Sequence, residues 1–121
     1  MPHVILEIPR PLTAGKDLQK LLHGIHDAIA SVPSAFLADI KTRIHLLDDF
    51  RVGAGTSESG SFIHARLIQT RPRSPEDQKL MGEKVMAALE AFFGKDKPAY
   101  PLQLCLETTI IPVGGYLRVI I

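Results

Sequence analysis

Met1-Pro2-His3-Val4-Ile5-Leu6-Glu7 opens the chain, and its reading decides the fold. Val4-Ile5-Leu6, carried on by Glu7-Ile8, is a short apolar run rich in β-branched residues, which predicts a buried strand. Pro2 comes directly after the initiator methionine. If that methionine is trimmed, the Pro2 nitrogen becomes a secondary amine where it was an amide. An α-amino group has an ordinary pKa of about 7.7–8.0. Held at the end of a buried strand, its charged form is disfavoured and the value moves down, toward a neutral base at working pH. On these seven residues alone the plainer reading holds, that Pro2 is simply the residue beside the start and has no chemical role.

The bounds of the whole chain are compatible with such a strand. Its 121 residues suffice for one domain, 1–121, with a modest core. Apolar residues make up 45%, too many for a disordered chain. No apolar run reaches the length of a membrane span. The formal charge of +1 gives no global field toward nucleic acid or a membrane surface. Cys105 stands alone, so no internal disulfide is available, which fits a reducing compartment. Pro9-Arg10-Pro11 cuts the first apolar run short, unlike a secretory signal. The expectation is a soluble cytoplasmic protein.

Beyond the proline turn, a helix is predicted over about 14–30, with Leu18, Leu21, Leu22, Ile25 and Ile29 on one face. His23 and His26 lie off that stripe. Three apart, they would supply at most two metal ligands, so they read as solvated surface histidines. Residues 40–52 have strand character. Their alternation sets Lys41, Arg43 and His45 on one face, each about 7 Å from the next. Such a row either is solvated or looks into a pocket that takes an anion; for an isolated strand the solvated face is favoured. The Gly-x-Gly of Gly53-Ala54-Gly55 leads into another strand, not a helix, and is no phosphate-binding turn. That next strand, 62–69, suggests a hairpin over 40–69 with a long tip.

Thr70-Arg71-Pro72-Arg73-Ser74-Pro75-Glu76-Asp77 carries a second signal. Ser74 has N-cap chemistry, Pro75 suits the first helical position, and Asp77 stands where a capping-box acid would. The helix they start should bury Met81, Val85, Ala88, Leu89 and Phe92 and stop at Gly94. Arg71 and Arg73 precede a helix N-terminus that already favours anions; the plainer alternative pairs them with acids such as Glu76. Residues 102–112 form a further strand in which Cys105 reads as a packed thiol. Residues 116–121 read as a last apolar strand, which a neighbouring subunit would have to cover.

The pattern is strand–helix–strand twice over. It predicts an α/β (α+β) fold of duplicated β-α-β units, with two helices packed on one face of a four-stranded mixed sheet. The other face is expected to be apolar and to need a partner.

Met1-Pro2-His3-Val4-Ile5-Leu6-Glu7, Ile40-Lys41-Thr42-Arg43-Ile44-His45 and the stretch from Phe62-Ile63-His64 to Arg73-Ser74, set on two β-α-β units, resemble the tautomerase superfamily. Within it the chain is similar to the 5-carboxymethyl-2-hydroxymuconate isomerases. The resemblance implies a homotrimer in which the amino-terminal proline is a general base that moves a proton along an unsaturated keto acid, while arginines hold the carboxylates. Carried over, Pro2 is the catalytic base and Lys41, Arg43 and Arg73 bind substrate. Lys41 stands where the family carries an arginine, and a lysine lacks the bidentate fork that fits a carboxylate. The implied chemistry needs a base with pKa near the operating pH and fixed positive charge in a site that excludes water. It requires no metal or organic cofactor. The reading is therefore an isomerase of unsaturated keto/enol carboxylic acids, in aromatic catabolism by resemblance. Its alternatives are a tautomerase of another α-keto acid and a non-catalytic trimeric binding module of the same fold.

Overall fold

The computed structural model describes residues 1–121. Strand β1 (His3–Pro9) leads through a 3-10 turn (Arg10–Thr13) to helix α1 (Leu18–Ala30) and strand β2 (Lys41–Leu47). Strand β3 (Ser61–Gln69), helix α2 (Pro75–Phe93) and strand β4 (Leu102–Ile110) repeat the plan. The sheet order is β2-β1-β3-β4. Each β-α-β unit pairs its own strands in parallel, and the two units meet where β1 runs antiparallel to β3. The expected architecture of two helices on a four-stranded mixed sheet is the one observed.

The helix starts follow from local chemistry. Ser74 Oγ accepts from the Asp77 N–H, Pro75 opens α2, and the Gly94 N–H closes it on the Glu90 carbonyl. Helix α1 begins at Leu18, later than the expected 14, because Asp17 is its cap and accepts from the Gln19 and Lys20 N–H groups. Gly15 just before it has φ +70°, a turn conformation that a helix cannot absorb.

Both helices cover one face of the sheet. There Val4, Leu6, Ile8, Ile63, Ala65 and Leu67 meet Leu21, Ile25, Ile29, Met81, Val85, Leu89 and Phe93 in a single cluster, closed to solvent. Phe93 takes the place expected for Phe92, which with Ala88 packs at the cluster's margin.

Other expectations change. Residues 40–69 are not a hairpin: β1 lies between β2 and β3, since the first unit closes on itself in parallel before the second begins. The strand expected over 40–52 ends at Leu47, where Asp48 is held by Arg10, and the strand expected to 112 ends at Ile110. Residues 116–121 make no strand and lie along the surface. His26 is half-buried, its Nε2 2.9 Å from Thr42 Oγ1, so of the two histidines only His23 is exposed.

The uncovered face is also not the apolar surface expected. Alternation sends Leu102, Leu104 and Leu106 toward the helices with Val4 and Leu6. The uncovered face receives the intervening residues, including His3, Ile5, Glu7, Lys41, Arg43, His64, Arg66 and Glu107, in register across the four strands. His64 sits between two acids there, with Nδ1 3.3 Å from Glu7 Oε1 and Nε2 3.2 Å from Glu107 Oε1. No helix is long and apolar enough to cross a membrane.

Candidate active site

The start of β1 is pinned from both sides. The Pro2 carbonyl accepts from the Lys41 N–H at 3.1 Å, and the Met1 carbonyl accepts from Thr70 Oγ1 at 2.8 Å. The topology requires this: as the central strand, β1 begins where β2 also begins and where β3 ends, so its first residues lie between Lys41 and Thr70. The chain leaving β3 then carries Arg71 and Arg73 past the same point on its way into α2.

Cations gather round that point. Arg73 is partly buried, donates from Nε to Ser34 Oγ at 3.1 Å and from Nη1 to the Arg71 carbonyl at 3.5 Å. Burial, and then the neighbouring Arg71, hold its pKa below the ordinary arginine value. Lys41 is exposed and donates from Nζ to the Asp39 carbonyl at 3.3 Å. Asp39 is the one acid of the group, with Arg71 Nη2 at 3.8 Å and Arg118 Nη1 at 3.4 Å from its carboxylate. Neither arginine pairs with Glu76; Arg71 finds Asp39, and Arg73 finds a hydroxyl.

The amine at the chain's start reports this environment. Its pKa falls from 8.0 to about 6, through burial first and then through Arg73, Arg71 and Lys41, with Asp39 opposing. The Met1 side chain is buried at the same place.

Pro2, Lys41 and Arg73, which the resemblance implies as site residues, thus lie near one another at one end of the sheet. Arg43 lies one step further along the uncovered face and turns back onto His3, its Nη1 3.1 Å from His3 Nδ1. His3 Nε2 in turn lies 2.8 Å from the Tyr116 hydroxyl. Asp39, Ser34, Thr70, His3, Tyr116 and Arg118 were not singled out from the sequence. Only His3 carried a signal, as the neighbour of Pro2; the others join the site through the fold. No group of three or more His, Cys, Asp or Glu side chains is arranged to hold a metal ion. An open cavity of about 640 Å³ is lined by His23, His26, Asp27 and Lys41 among others, and borders this point through Lys41 alone of the gathered cations.

Comparison with known proteins gives the frame for this geometry. A family model described as 5-carboxymethyl-2-hydroxymuconate isomerase matches residues 2–117. The 5-carboxymethyl-2-hydroxymuconate Delta-isomerase of Escherichia coli is 26% identical over 107 residues, 88% of this chain and 84% of that protein. A crystal structure of a 5-carboxymethyl-2-hydroxymuconate delta-isomerase superposes with a TM-score of 0.84 at 16% identity, covering 99% of this chain and 88% of the other. A fused 4-OT, described as a symmetric trimer, superposes with a TM-score of 0.62 at 16% identity, covering 94% of each chain. At such identities the structural likeness speaks for the fold.

Proposed function

This chain belongs to the 5-carboxymethyl-2-hydroxymuconate isomerase family, and on that premise we propose that it is a cofactor-independent isomerase of unsaturated keto/enol carboxylic acids with Pro2 as its general base. The observation that carries the reading is the depressed amine at the chain's start, held at about 6 by burial and by Arg73 and Arg71. Loss of Met1 passes that environment to the Pro2 nitrogen and opens the space that the Met1 side chain fills. A neutral secondary amine there takes the hydroxyl proton of the dienol, or the proton on carbon beside the ketone of the keto tautomer, leaving a dienolate, and returns it at a distal carbon of the conjugated system. The base ends as it began, so no oxidant or cofactor enters the balance. Arg73, Lys41 and Arg43 hold the carboxylates and the developing oxyanion, where fixed positive charge out of water is most effective. Burial first, and then Arg73, Arg71 and Lys41, also favour the neutral form of the terminal amine.

One residue favours a second substrate class. Lys41 offers a point charge where a guanidinium would offer a fork, which suits a substrate with fewer carboxylates, such as the enol of an aryl α-keto acid. The test is direct. Intact-mass measurement establishes that the chain begins at Pro2, and the protein is then assayed on a panel of dienol mono-, di- and tricarboxylates. Turnover of 5-carboxymethyl-2-hydroxymuconate above the simpler enols supports the first class, and the reverse ranking supports the second. No turnover on any of them overturns both.

The same reading includes a homotrimer with the uncovered sheet faces toward a common centre. Its support is the exposure of Val113, Leu117, Val119, Ile120 and Ile121 at 80% or more, an apolar tail costly to leave wet. Light scattering should find three copies of the 13.3-kDa chain, and truncation after Pro112 should give monomer or aggregate. A well-behaved full-length monomer overturns the assembly.

A further inference from the structure

The tail beyond β4 is turned back onto the start of β1 at one residue, Tyr116. The Gly115 N–H closes on the Pro112 carbonyl at 2.9 Å, with Gly114 at φ +83°, a tight turn that a side chain at Gly114 would strain. This turn sends the chain back across the start of β1, where Tyr116 alone among residues 112–121 is half-buried. Arg118, two residues on, fastens the segment to Asp39 at 3.4 Å.

Tyr116 packs edge-on against His3, with ring centroids 5.5 Å apart and an interplanar angle of 66°. The hydrogen-bond directions in this corner are fixed by chemistry. A guanidinium only donates, so Arg43 Nη1 makes His3 Nδ1 an acceptor. His3 is then neutral with its proton on Nε2, and that N–H donates to the Tyr116 oxygen at 2.8 Å. Burial and the Arg43 charge push the His3 pKa down, in keeping with the neutral ring. The Tyr116 oxygen is thereby occupied as an acceptor, and its own proton is free to point away from His3. No acceptor within the chain takes it. Successive hydrogen bonds polarise one another, so Arg43 strengthens, through His3, the donor that Tyr116 presents.

We propose that Tyr116 is a further substrate-binding residue, donating its hydroxyl proton in a hydrogen bond to the enol oxygen of the substrate, with His3 and Arg43 as the positioning residues that aim it. This rests on the isomerase reading above. The enol oxygen is the right acceptor for a neutral donor. The cations bind carboxylates, whose charge is the same throughout, and the Tyr116 hydroxyl adds a directed donor at the oxygen whose charge grows in the transition state. Arg43 keeps further N–H groups for substrate, so the relay and carboxylate binding coexist.

The test compares wild type, Tyr116→Phe, His3→Leu, His3→Gln and the double variant Tyr116→Phe/His3→Leu, all full-length with processed N-termini, on the best dienol carboxylate of the panel. Phenylalanine keeps the ring contact and removes only the hydroxyl. The expected result is a fall in kcat of about 10²–10³-fold with KM little changed, as for other single donors to a developing oxyanion. His3→Leu should lose a similar factor, and the double variant no more than either single one, because both break one chain. His3→Gln, whose amide can accept from Arg43 and donate onward, should lose less than His3→Leu. Tyr116→Phe at wild-type kcat overturns the relay while leaving the isomerase reading intact, as do fully multiplicative losses in the double variant. An inactive wild type overturns the isomerase reading, and the relay falls with it.

Discussion

The two faces of the sheet are built from alternate residues of the same four strands, and they do opposite work. On the covered face Val4, Leu6, Ile63, Ala65 and Leu67 are closed to solvent against the helices. On the other, His3, Glu7, Lys41, Arg43, His64 and Arg66 stand in the same registers, one residue out of step. A strand's period of two lets one stretch of chain hold a core and present charge without compromise. The difference teaches where each kind of energy resides: stability in the helix layer, and charge at the start of β1 and on the uncovered face, where the proposed chemistry is set.

Substitutions on the two sides should therefore separate cleanly. The largest expected effect is that of Pro2→Ala, which keeps a primary amine but not the rigid secondary one. Turnover should fall by orders of magnitude with the circular dichroism spectrum unchanged. Near-normal turnover in a processed variant would remove Pro2 as the base.

Next in size is a change that reaches only the covered face. Leu6→Ala should cost about 2–5 kcal/mol of stability, the usual range for emptying a tight core site, as measured by urea unfolding. A cost under about 1 kcal/mol would mean that the helix layer collapses into the gap and that the contrast between the faces is weaker than the packing implies.

Arg73→Ala tests the site end without touching the core. Losing one charged hydrogen-bond partner should cost about 1.5–3 kcal/mol, read chiefly as a raised KM for carboxylate substrates. Unchanged KM and kcat would reduce Arg73 to a partner of Ser34.

The smallest effect is electrostatic and lies under the helices' edge. Burial lowers the pKa of His26 from its ordinary 6.5, with Asp27 opposing and His23 adding. The unfolded chain takes up this proton near 6.5, whereas the folded chain takes it up only at lower pH. The contribution to stability is thus fully present above about pH 6.5 and is lost as pH falls through the folded value. Melting temperature should decline from pH 7 to 5, and less steeply in His26→Gln. An identical slope in that variant would assign the decline to other groups, His3 among them.

Some of this was legible in the chain itself. Local rules decide a helix start whose cap, first proline and first-turn acids are adjacent in sequence, so Ser74, Pro75 and Asp77 marked α2 without help. The apolar run Val4-Ile5-Leu6 marked the central strand in the same way, and the repeated strand–helix–strand pattern yielded the architecture because parallel pairing demands a crossover helix. Pro2 and the cations Lys41, Arg43 and Arg73 were also picked out, although by resemblance to a family, since spacing alone gives no reason to join residues so far apart. Only the tertiary structure decided which strands pair. An apparent hairpin over 40–69 and a parallel closure onto β1 use the same residues, and they differ in the long-range contacts that bury Leu6 and Ile63. The structure likewise decided the fate of the tail: residues 116–121 have a strand's composition, but a strand forms only where an edge offers hydrogen-bond partners, and here Gly114 and Gly115 turn the chain away so that Tyr116 meets His3 instead.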